Sequence, residues 1–204
     1  LGVPVLEEIN APAMFRIGSR QAPHNLYADT ELVREVIDSR GFKFLQPGPQ
    51  PLYPFGYDQN NWNPGANKVT IQYSDFTTVI WKMDGDRYSR FIIDAYSSEK
   101  DAVAHNFISQ DGNYTDMLST ETIVVIQGAL YKDKATTLPS ILTVGIGDLY
   151  IFNNGKYVQG TWRRTDISES FEFFDINQNP IEVPPSSQWI HVVPNEGQIV
   201  WSNS

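Results

Sequence analysis

The segment 20–27, RQAPHNLY, holds an arginine, a Pro-His-Asn turn and a tyrosine hydroxyl within a short stretch of chain. Pro23 fixes its own φ angle and biases Ala22 towards an extended conformation, so we expect His24 and Asn25 to lie on a defined turn. A rigid turn holds polar side chains in one orientation, which is what a ligand-binding site requires.

We predict that this segment forms one wall of a polar, anion-accepting site. A helix is expected to begin shortly after it, and the free N–H groups and dipole of a helix N-terminus favour a phosphate or a carboxylate. Arginine supplies positive charge, and a tyrosine hydroxyl donates a hydrogen bond. In the alternative interpretation, the turn only satisfies backbone groups and Arg20 pairs with Asp29. The candidate ligand-binding residues are Arg16, Arg20, His24, Asn25 and Tyr27.

The three histidines, His24, His105 and His191, are scattered along the chain and form no metal-binding motif. We therefore predict no metal site. His191 alternates with Trp189 and Val193 on one face of an expected strand, which favours a packed, hydrogen-bonded side chain over a catalytic one.

Signatures of catalysis are absent from the rest of the sequence. Asp101 and His105 are four residues apart and fit either an acid-base pair on a helix face or a solvated loop. No serine-nucleophile elbow, Walker loop or dinucleotide glycine motif occurs, so no cofactor is predicted. Whether the protein is an enzyme stays open at this point.

Composition restricts the partners. The formal net charge of -9 and the pI near 4.7 argue against nucleic acid, because a phosphate backbone repels an acidic protein. No run of about 18 apolar residues occurs, so no membrane-spanning helix is predicted. The absence of cysteine excludes disulfides and thiolate metal sites, and it is compatible with the cytosol as well as with export.

Hydrophobic periodicity divides the chain into regions. Residues 29–40 have the helical pattern, with Asp29 or Thr30 as N-cap and Gly41 beyond the end. Residues 46–67 are rich in proline and glycine and are predicted to form a linker. Its aromatic residues fit either a carbohydrate-stacking surface or packing onto a domain; they are Tyr53, Phe55, Tyr57 and Trp62.

From Lys68 onward the period is two, which predicts a mostly β domain over residues 68–204, either a barrel or a sandwich. Asp84-Gly85 marks one tight turn, and Asn154-Gly155 predicts a hairpin that pairs residues 149–153 with 156–162. The longer apolar run at 122–131 suits a central strand. Residues 94–120 are polar and longer than an ordinary connection.

Two motifs resemble the YerB-like family, which is classed among bacterial lipoproteins. VGIGDLYIFNNGKYVQGTWRR, followed by FEFFDINQNPIEV and QWIHVVP, resembles its C-terminal domain, and RQAPHNLY resembles the end of its N-terminal domain. The resemblance covers about residues 16–45 and 68–194. It departs from the family pattern at His105, where the family often has His-x-Asp and this chain has His-Asn-Phe.

The resemblance implies an exported, extracytoplasmic protein that is tethered to the membrane by a lipid on a cysteine upstream of Leu1. It also implies that residues 1–45 are the C-terminal remnant of a larger N-terminal α/β domain, so the expected fold class is α+β. Two functions remain: a binding or scaffold module of the cell envelope, or an envelope enzyme acting on phosphorylated or glycan substrates with its active site mainly upstream. The expected partner is an anionic small molecule or an envelope glycan.

Overall fold

Two compact units make up the chain: residues 1–49 with 107–116, and residues 50–106 with 117–204. The predicted division into residues 1–45, 46–67 and 68–204 stays a prediction, because residues 42–49 lie outside the described part of the chain. The computed structural model describes residues 13–18, 21–22, 25–41, 50–94, 99–108, 113–134 and 137–204.

The described part of the first unit contains a short hairpin, one helix and most of a second hairpin that residues 106–108 and 114–117 form. Strands β1 (Met14–Arg16) and β2 (Leu26–Ala28) pair antiparallel, and helix α1 spans Thr30–Ser39. Asp29 is the N-cap, because its side chain accepts hydrogen bonds from the backbone N–H groups of Glu31 and Leu32. The predicted helix and its cap are confirmed.

Most of the remaining elements are strands of the second unit, with a 3-10 helix over Glu99–Asp101. The strands are β3 (Asn63–Pro64), β4 (Lys68–Ser74), β5 (Thr77–Asp84), β6 (Arg87–Asp94), β7 (Val103–Ala104), β8 (Asn106–Ile108), β9 (Tyr114–Met117), β10 (Ser119–Thr120), β11 (Thr122–Gly128), β12 (Leu130–Lys132), β13 (Pro139–Ile141), β14 (Gly145–Asn153), β15 (Lys156–Arg164), β16 (Glu172–Asp175), β17 (Gln188–Pro194) and β18 (Gln198–Ser202).

The second unit is a sandwich of two sheets, and these sheets do not close into a barrel. Sheet 1 has the order β10-β6-β5-β4-β18, with β7 also paired to β6. Sheet 2 has the order β16-β15-β14-β11-β17, with β3 also paired to β15. Strands β12 and β13 form a separate two-stranded sheet of this unit, and β8 and β9 form another, most of whose residues belong to the first unit. Of the two architectures that the sequence left open, the sandwich is the one that forms.

Strand β11 lies inside sheet 2 and is buried along its whole length. It pairs antiparallel with β14 and parallel with β17. A strand with both faces covered is an uninterrupted apolar run instead of an alternating one, which explains the sequence TIVVIQG. The predicted central strand is confirmed, although it ends at Gly128 and not at residue 131.

Residues that alternate along the strands of sheet 2 pack into two different hydrophobic cores, one on each face of the sheet. Ile123 and Val125 pack between the sheets with Val69, Ile71 and other residues of sheet 1. The opposite face of sheet 2, to which Phe173 of β16 belongs, packs against residues outside the sheet, whose buried apolar members are Tyr53, Trp62, Phe171, Ile181 and Val183.

The Pro-rich segment therefore covers one face of sheet 2. Tyr53 is 1% exposed and Trp62 is 9% exposed, whereas Tyr57 is 81% exposed. Of the two explanations for its aromatic residues, packing accounts for the two that are buried.

The hairpin of β14 and β15 has the register expected from its Asn-Gly turn. Asn153 pairs with Lys156, and both central residues, Asn154 (φ 47°) and Gly155 (φ 69°), have positive φ. This is the backbone of a two-residue turn that asparagine and glycine favour. The prediction for residues 149–162 is confirmed, and so is the turn at Gly85 (φ 65°) between β5 and β6.

Trp162 is the largest side chain that β15 contributes to the core between sheet 2 and the Pro-rich segment. It is 1% exposed, its Nε1–H donates a hydrogen bond of 2.7 Å to the carbonyl oxygen of Gln127, and its ring packs edge-on against Phe171. The side chain thus fills volume and satisfies a buried carbonyl group of β11 at the same time.

We expect Trp162→Ala to lower the free energy of unfolding by about 3–5 kcal/mol, because it leaves a cavity and an unpaired carbonyl group. Chemical denaturation measures this loss. Trp162→Phe should cost less, and Tyr57→Ala at an exposed position should change stability by at most about 0.5 kcal/mol. An unchanged unfolding midpoint for Trp162→Ala would show that the ring is peripheral.

Candidate functional site

The structure describes three of the five ligand-binding residues predicted in the first unit. The Arg16 guanidinium donates a 2.6 Å hydrogen bond to the Asn25 side-chain oxygen, and the Asn25 amide donates to the Ile17 carbonyl. Tyr27 stacks on Phe15. Arg20 and His24 lie outside the described residues.

Hairpin register separates these three residues. Phe15 is directly opposite Tyr27, and Arg16 is opposite Leu26, so Arg16 and Tyr27 belong to opposite faces of the β1-β2 ribbon. The structure brings Arg16 and Asn25 together and does not bring Tyr27 to them. The anion site at residues 16–27 stays a prediction.

A second group of polar and aromatic residues lies on the inner face of the sandwich. In sheet 1, Trp81 on β5 is directly opposite Arg90 on β6. The pairing of Phe91 with Ala104 continues to His105, whose backbone N–H donates to the Arg90 carbonyl oxygen. Residues directly opposite each other share one face of a sheet, so Trp81, Arg90 and His105 form a cross-strand row.

Strand β17 of sheet 2 faces this row. Trp189 and His191 are alternate residues of β17, and Val193 of the same face lies in the core between the sheets. The Trp81 ring packs edge-on against Trp189 and His191, with ring centroids 5.5 and 5.8 Å apart. Tyr73 completes the group from a β-bulge in β4. We call these residues the Arg90 cluster: Tyr73, Trp81, Arg90, His105, Trp189 and His191.

His191 is held by hydrogen bonds at both ring nitrogens and is 1% exposed. The Trp81 indole N–H donates to Nε2 of His191 at 2.9 Å, and Nδ1 bonds to the Tyr73 hydroxyl. Because an indole nitrogen can only donate, Nε2 must be the acceptor and the ring hydrogen must be on Nδ1. The predicted packed, hydrogen-bonded histidine is confirmed.

Arg90 has a different environment, because its charge has no carboxylate partner among the residues the structure describes. The guanidinium carbon lies 4.8 Å from the ring centre of Trp189 and 5.8 Å from that of Trp81. Nη1 donates to Nδ1 of His105, whereas Nε is shielded from solvent and has no hydrogen-bond partner among the described residues. By contrast, Arg87 on the same strand pairs with Glu121 at 2.8 Å.

Burial controls the protonation states in the cluster. It lowers the pKa of His191 to about 3, and the positive charge of Arg90 acts in the same direction. It raises the pKa of Tyr73 to about 12, although the Arg90 charge opposes this shift. Burial also lowers the pKa of the Arg90 guanidinium. At neutral pH, Tyr73 and His191 are therefore uncharged and Arg90 is a cation.

The helix on which His105 and Asp101 were considered as an acid-base pair does not extend over both residues. Asp101 ends the 3-10 helix, whereas His105 lies between β7 and β8 and contacts Arg90, so the two do not share a helix face. The polar connection 94–120 contains short strands that extend sheet 1.

Two features are absent from the part of the chain that the structure describes. No group of three or more His, Cys, Asp or Glu side chains is placed there to hold a metal ion. No helix of this part of the chain has the length and apolar character that crossing a membrane requires.

Comparison with known proteins assigns the family. Residues 69–190, more than half of the chain, match the family described as "Protein of unknown function (DUF3048) C-terminal domain". The chain belongs to this family. The whole Arg90 cluster except His191 lies within the matched residues, and His191 follows directly after them. A comparison with curated proteins found no match.

The crystal structure of the YerB protein from Bacillus subtilis has a similar fold, with a TM-score of 0.67 at 14% sequence identity. The match covers 96% of this chain and 62% of that chain. The resemblance to the YerB-like family is confirmed at the level of family and fold.

The sequence interpretation missed Arg90, Tyr73 and the role of His105. One signal was available: the Asp84-Gly85 turn fixes the register of β5 and β6 and so places Arg90 opposite the apolar-face residue Trp81. The pairing of β17 with β11, which brings Trp189 and His191 to this place, had no local signal.

The stability of the DUF3048 family member should depend on the protonation of His191. The unfolded state takes up this proton near pH 6.5, whereas the folded state resists it until about pH 3. The stability that uncharged His191 contributes is therefore fully present above pH 6.5 and is lost as the pH falls towards 3. We expect a loss of about 2 kcal/mol between about pH 7 and pH 5.

Chemical denaturation of wild type and His191→Gln at both pH values measures this loss. Glutamine does not titrate, so the stability difference between the two proteins should narrow at the lower pH. Carboxylate protonation affects both proteins and cancels in the comparison. An equal pH dependence in both proteins would contradict the prediction.

Proposed function

We propose that the chain is a binding module of the bacterial cell envelope whose second unit binds an anionic small molecule at the Arg90 cluster. The observation that supports this proposal is a half-buried arginine, packed against two tryptophans, whose Nε has no partner and whose charge has no carboxylate among the described residues. The function therefore depends on a positive charge that the described part of the fold leaves unneutralised.

The energetics support a ligand role for Arg90. Removing a charge from water costs several kcal/mol, and a cation-π contact returns only about 0.5–2 kcal/mol. Removing a buried hydrogen-bond donor from water without giving it a partner costs about a further 1–3 kcal/mol. A ligand anion would offset both costs at once. Arg87, which is partly buried, obtains this compensation from Glu121 within the chain, whereas the pair of Arg163 and Glu172 is exposed.

The envelope part of the proposal is supported by the resemblance of the RQAPHNLY and hairpin motifs to the YerB-like family. It includes an extracytoplasmic location, a lipid anchor upstream of this chain, and a larger α/β domain to which residues 1–45 belong. The location is tested by adding protease to cells that express the full-length protein and whose outer layers have been removed while the cytoplasmic membrane stays intact. An extracytoplasmic protein is then degraded, and a cytoplasmic one is protected.

We expect anions to change the tryptophan fluorescence, because Trp81 and Trp189 contact Arg90 directly. The titration uses acetate, benzoate, phosphate and sulfate at constant ionic strength. At least one anion should give a saturable change in emission. Arg90→Met should weaken its affinity by about 10-fold or more, since a hydrogen bond to a charged group contributes about 1.5–3 kcal/mol.

Stability separates a binding role of Arg90 from a structural one. Methionine keeps an unbranched stem against the two rings and removes an unpaired charge, so Arg90→Met should raise the free energy of unfolding or leave it unchanged. Arg163→Met, at an exposed ion pair, is the control and should keep full anion affinity. No saturable response to any of the four anions, or an equal response in Arg90→Met, would contradict the proposed function.

A further inference from the structure

We propose that the ligand group bound by the Arg90 cluster is a carboxylate, held along the Nε–Nη2 edge of Arg90 and by the hydroxyl hydrogen of Tyr73. This inference rests on the proposed function and adds the chemical class of the ligand. It also assigns a positioning role to the Trp81–His191 hydrogen bond.

The guanidinium edge is the first part of the argument. Nη1 of Arg90 is occupied by His105, and no hydrogen bond joins Nε or Nη2 to the described residues. Nε–H and one Nη2–H are parallel donors on the same edge, and this spacing matches the two oxygens of a carboxylate. The Nε–Nη2 edge of Arg90 can therefore bind both oxygens of a carboxylate.

Tyr73 supplies the second part. His191 is the hydrogen-bond partner of the Tyr73 hydroxyl in the part of the chain that the structure describes. Because Trp81 fixes the His191 hydrogen on Nδ1, that nitrogen donates to the Tyr73 oxygen. The hydroxyl hydrogen of Tyr73 then points away from His191 and is left to donate to a ligand.

The charge of the site favours a carboxylate over a phosphate. Arg90 can only donate to Nδ1 of His105, so that nitrogen carries no hydrogen and the guanidinium is the one positive charge of the cluster, which one carboxylate neutralises. A phosphate group carries about -1.5 to -2 charges at pH 7 and has three oxygens that need donors. Its additional charge would be desolvated among Trp81, Trp189 and His191 without compensation.

Access to Nε requires a small movement. The atom is shielded from solvent, so a ligand oxygen reaches it only if a neighbouring side chain shifts. Trp189 is the half-buried ring that packs closest on the guanidinium, at 4.8 Å. Binding should therefore change the environment of this indole.

Isothermal titration calorimetry with benzoate, benzamide and inorganic phosphate tests the ligand class. Benzamide has the shape of benzoate without its charge. We expect wild type to bind benzoate at least about tenfold more tightly than benzamide or phosphate. Tyr73→Phe should weaken benzoate binding about tenfold, because it removes one hydrogen bond to a charged group.

The positioning role of Trp81 is tested with a double-mutant cycle. Trp81→Phe keeps an aromatic ring in the core but removes the N–H that fixes the His191 hydrogen. It should weaken benzoate binding in the wild-type background and have little further effect in Tyr73→Phe, because both changes act on the same hydrogen. Equal effects in the two backgrounds would overturn the positioning role.

If Trp81→Phe does not fold, the tautomer can be measured in the wild-type protein. The ¹⁵N chemical shifts of His191 at pH 7 should show a protonated Nδ1 and an unprotonated Nε2. The opposite tautomer would overturn the assignment of Tyr73 as a donor.

The outcomes separate the two proposals. Binding of phosphate as tight as that of benzoate, with both lost in Arg90→Met, would overturn the carboxylate assignment and leave the anion-binding function in place. Unchanged benzoate affinity in Tyr73→Phe would overturn the donor assignment alone. Absence of binding by any anion in wild type would overturn both proposals.

Discussion

Burial of strand β11 on both faces is the constraint that determines the arrangement of the second unit. A fully buried Val or Ile side chain contributes about 1.5–3 kcal/mol, and β11 has such residues on each face. Both faces of the strand therefore have to pack against other residues. Sheet 1 packs against one face, and the Pro-rich segment with Phe171, Ile181 and Val183 packs against the other.

The Arg90 cluster follows from the same arrangement. Because β17 pairs in parallel with β11, its inner-face residues Trp189 and His191 meet the row that Trp81 and Arg90 begin in sheet 1. Trp81 and His191 are consequently both core residues and supports of the cluster. His191 satisfies the rule that buried polar groups are hydrogen-bonded, and Nε of Arg90, beside it, does not. Departures of this kind are expected where function competes with stability.

Local patterns accounted for the parts of the fold that depend on neighbours in sequence. The helix cap at Asp29, the Asn154-Gly155 hairpin and the apolar run of β11 each have their determinants within a few residues. Pairing of β11 with β17 joins residues more than 60 positions apart, and no local propensity specifies it. The choice between barrel and sandwich depends on such pairings, so the sequence left it open.

The candidate site was predictable to a smaller degree. Register of the β5-β6 hairpin is local, so the contact of Arg90 with Trp81 could have been deduced from the turn. His105 reaches Arg90 through β7, which has two residues and therefore no periodicity to detect. Tyr73 continues the alternation of Val69 and Ile71, so its face was predictable, whereas its contact with His191 joins residues 118 positions apart.

The acidity of the chain imposes a further condition on an anion site. A net charge of -9 repels an anionic ligand at long range, so electrostatic steering cannot bring it to Arg90. At physiological ionic strength this repulsion is screened beyond about 8 Å, whereas a partly buried charge is screened much less. Attraction therefore acts only at short range, where the geometry of Arg90 and Tyr73 operates. Because the repulsion increases with the charge of the ligand, the whole chain and the local cluster both favour a singly charged group over a doubly charged one.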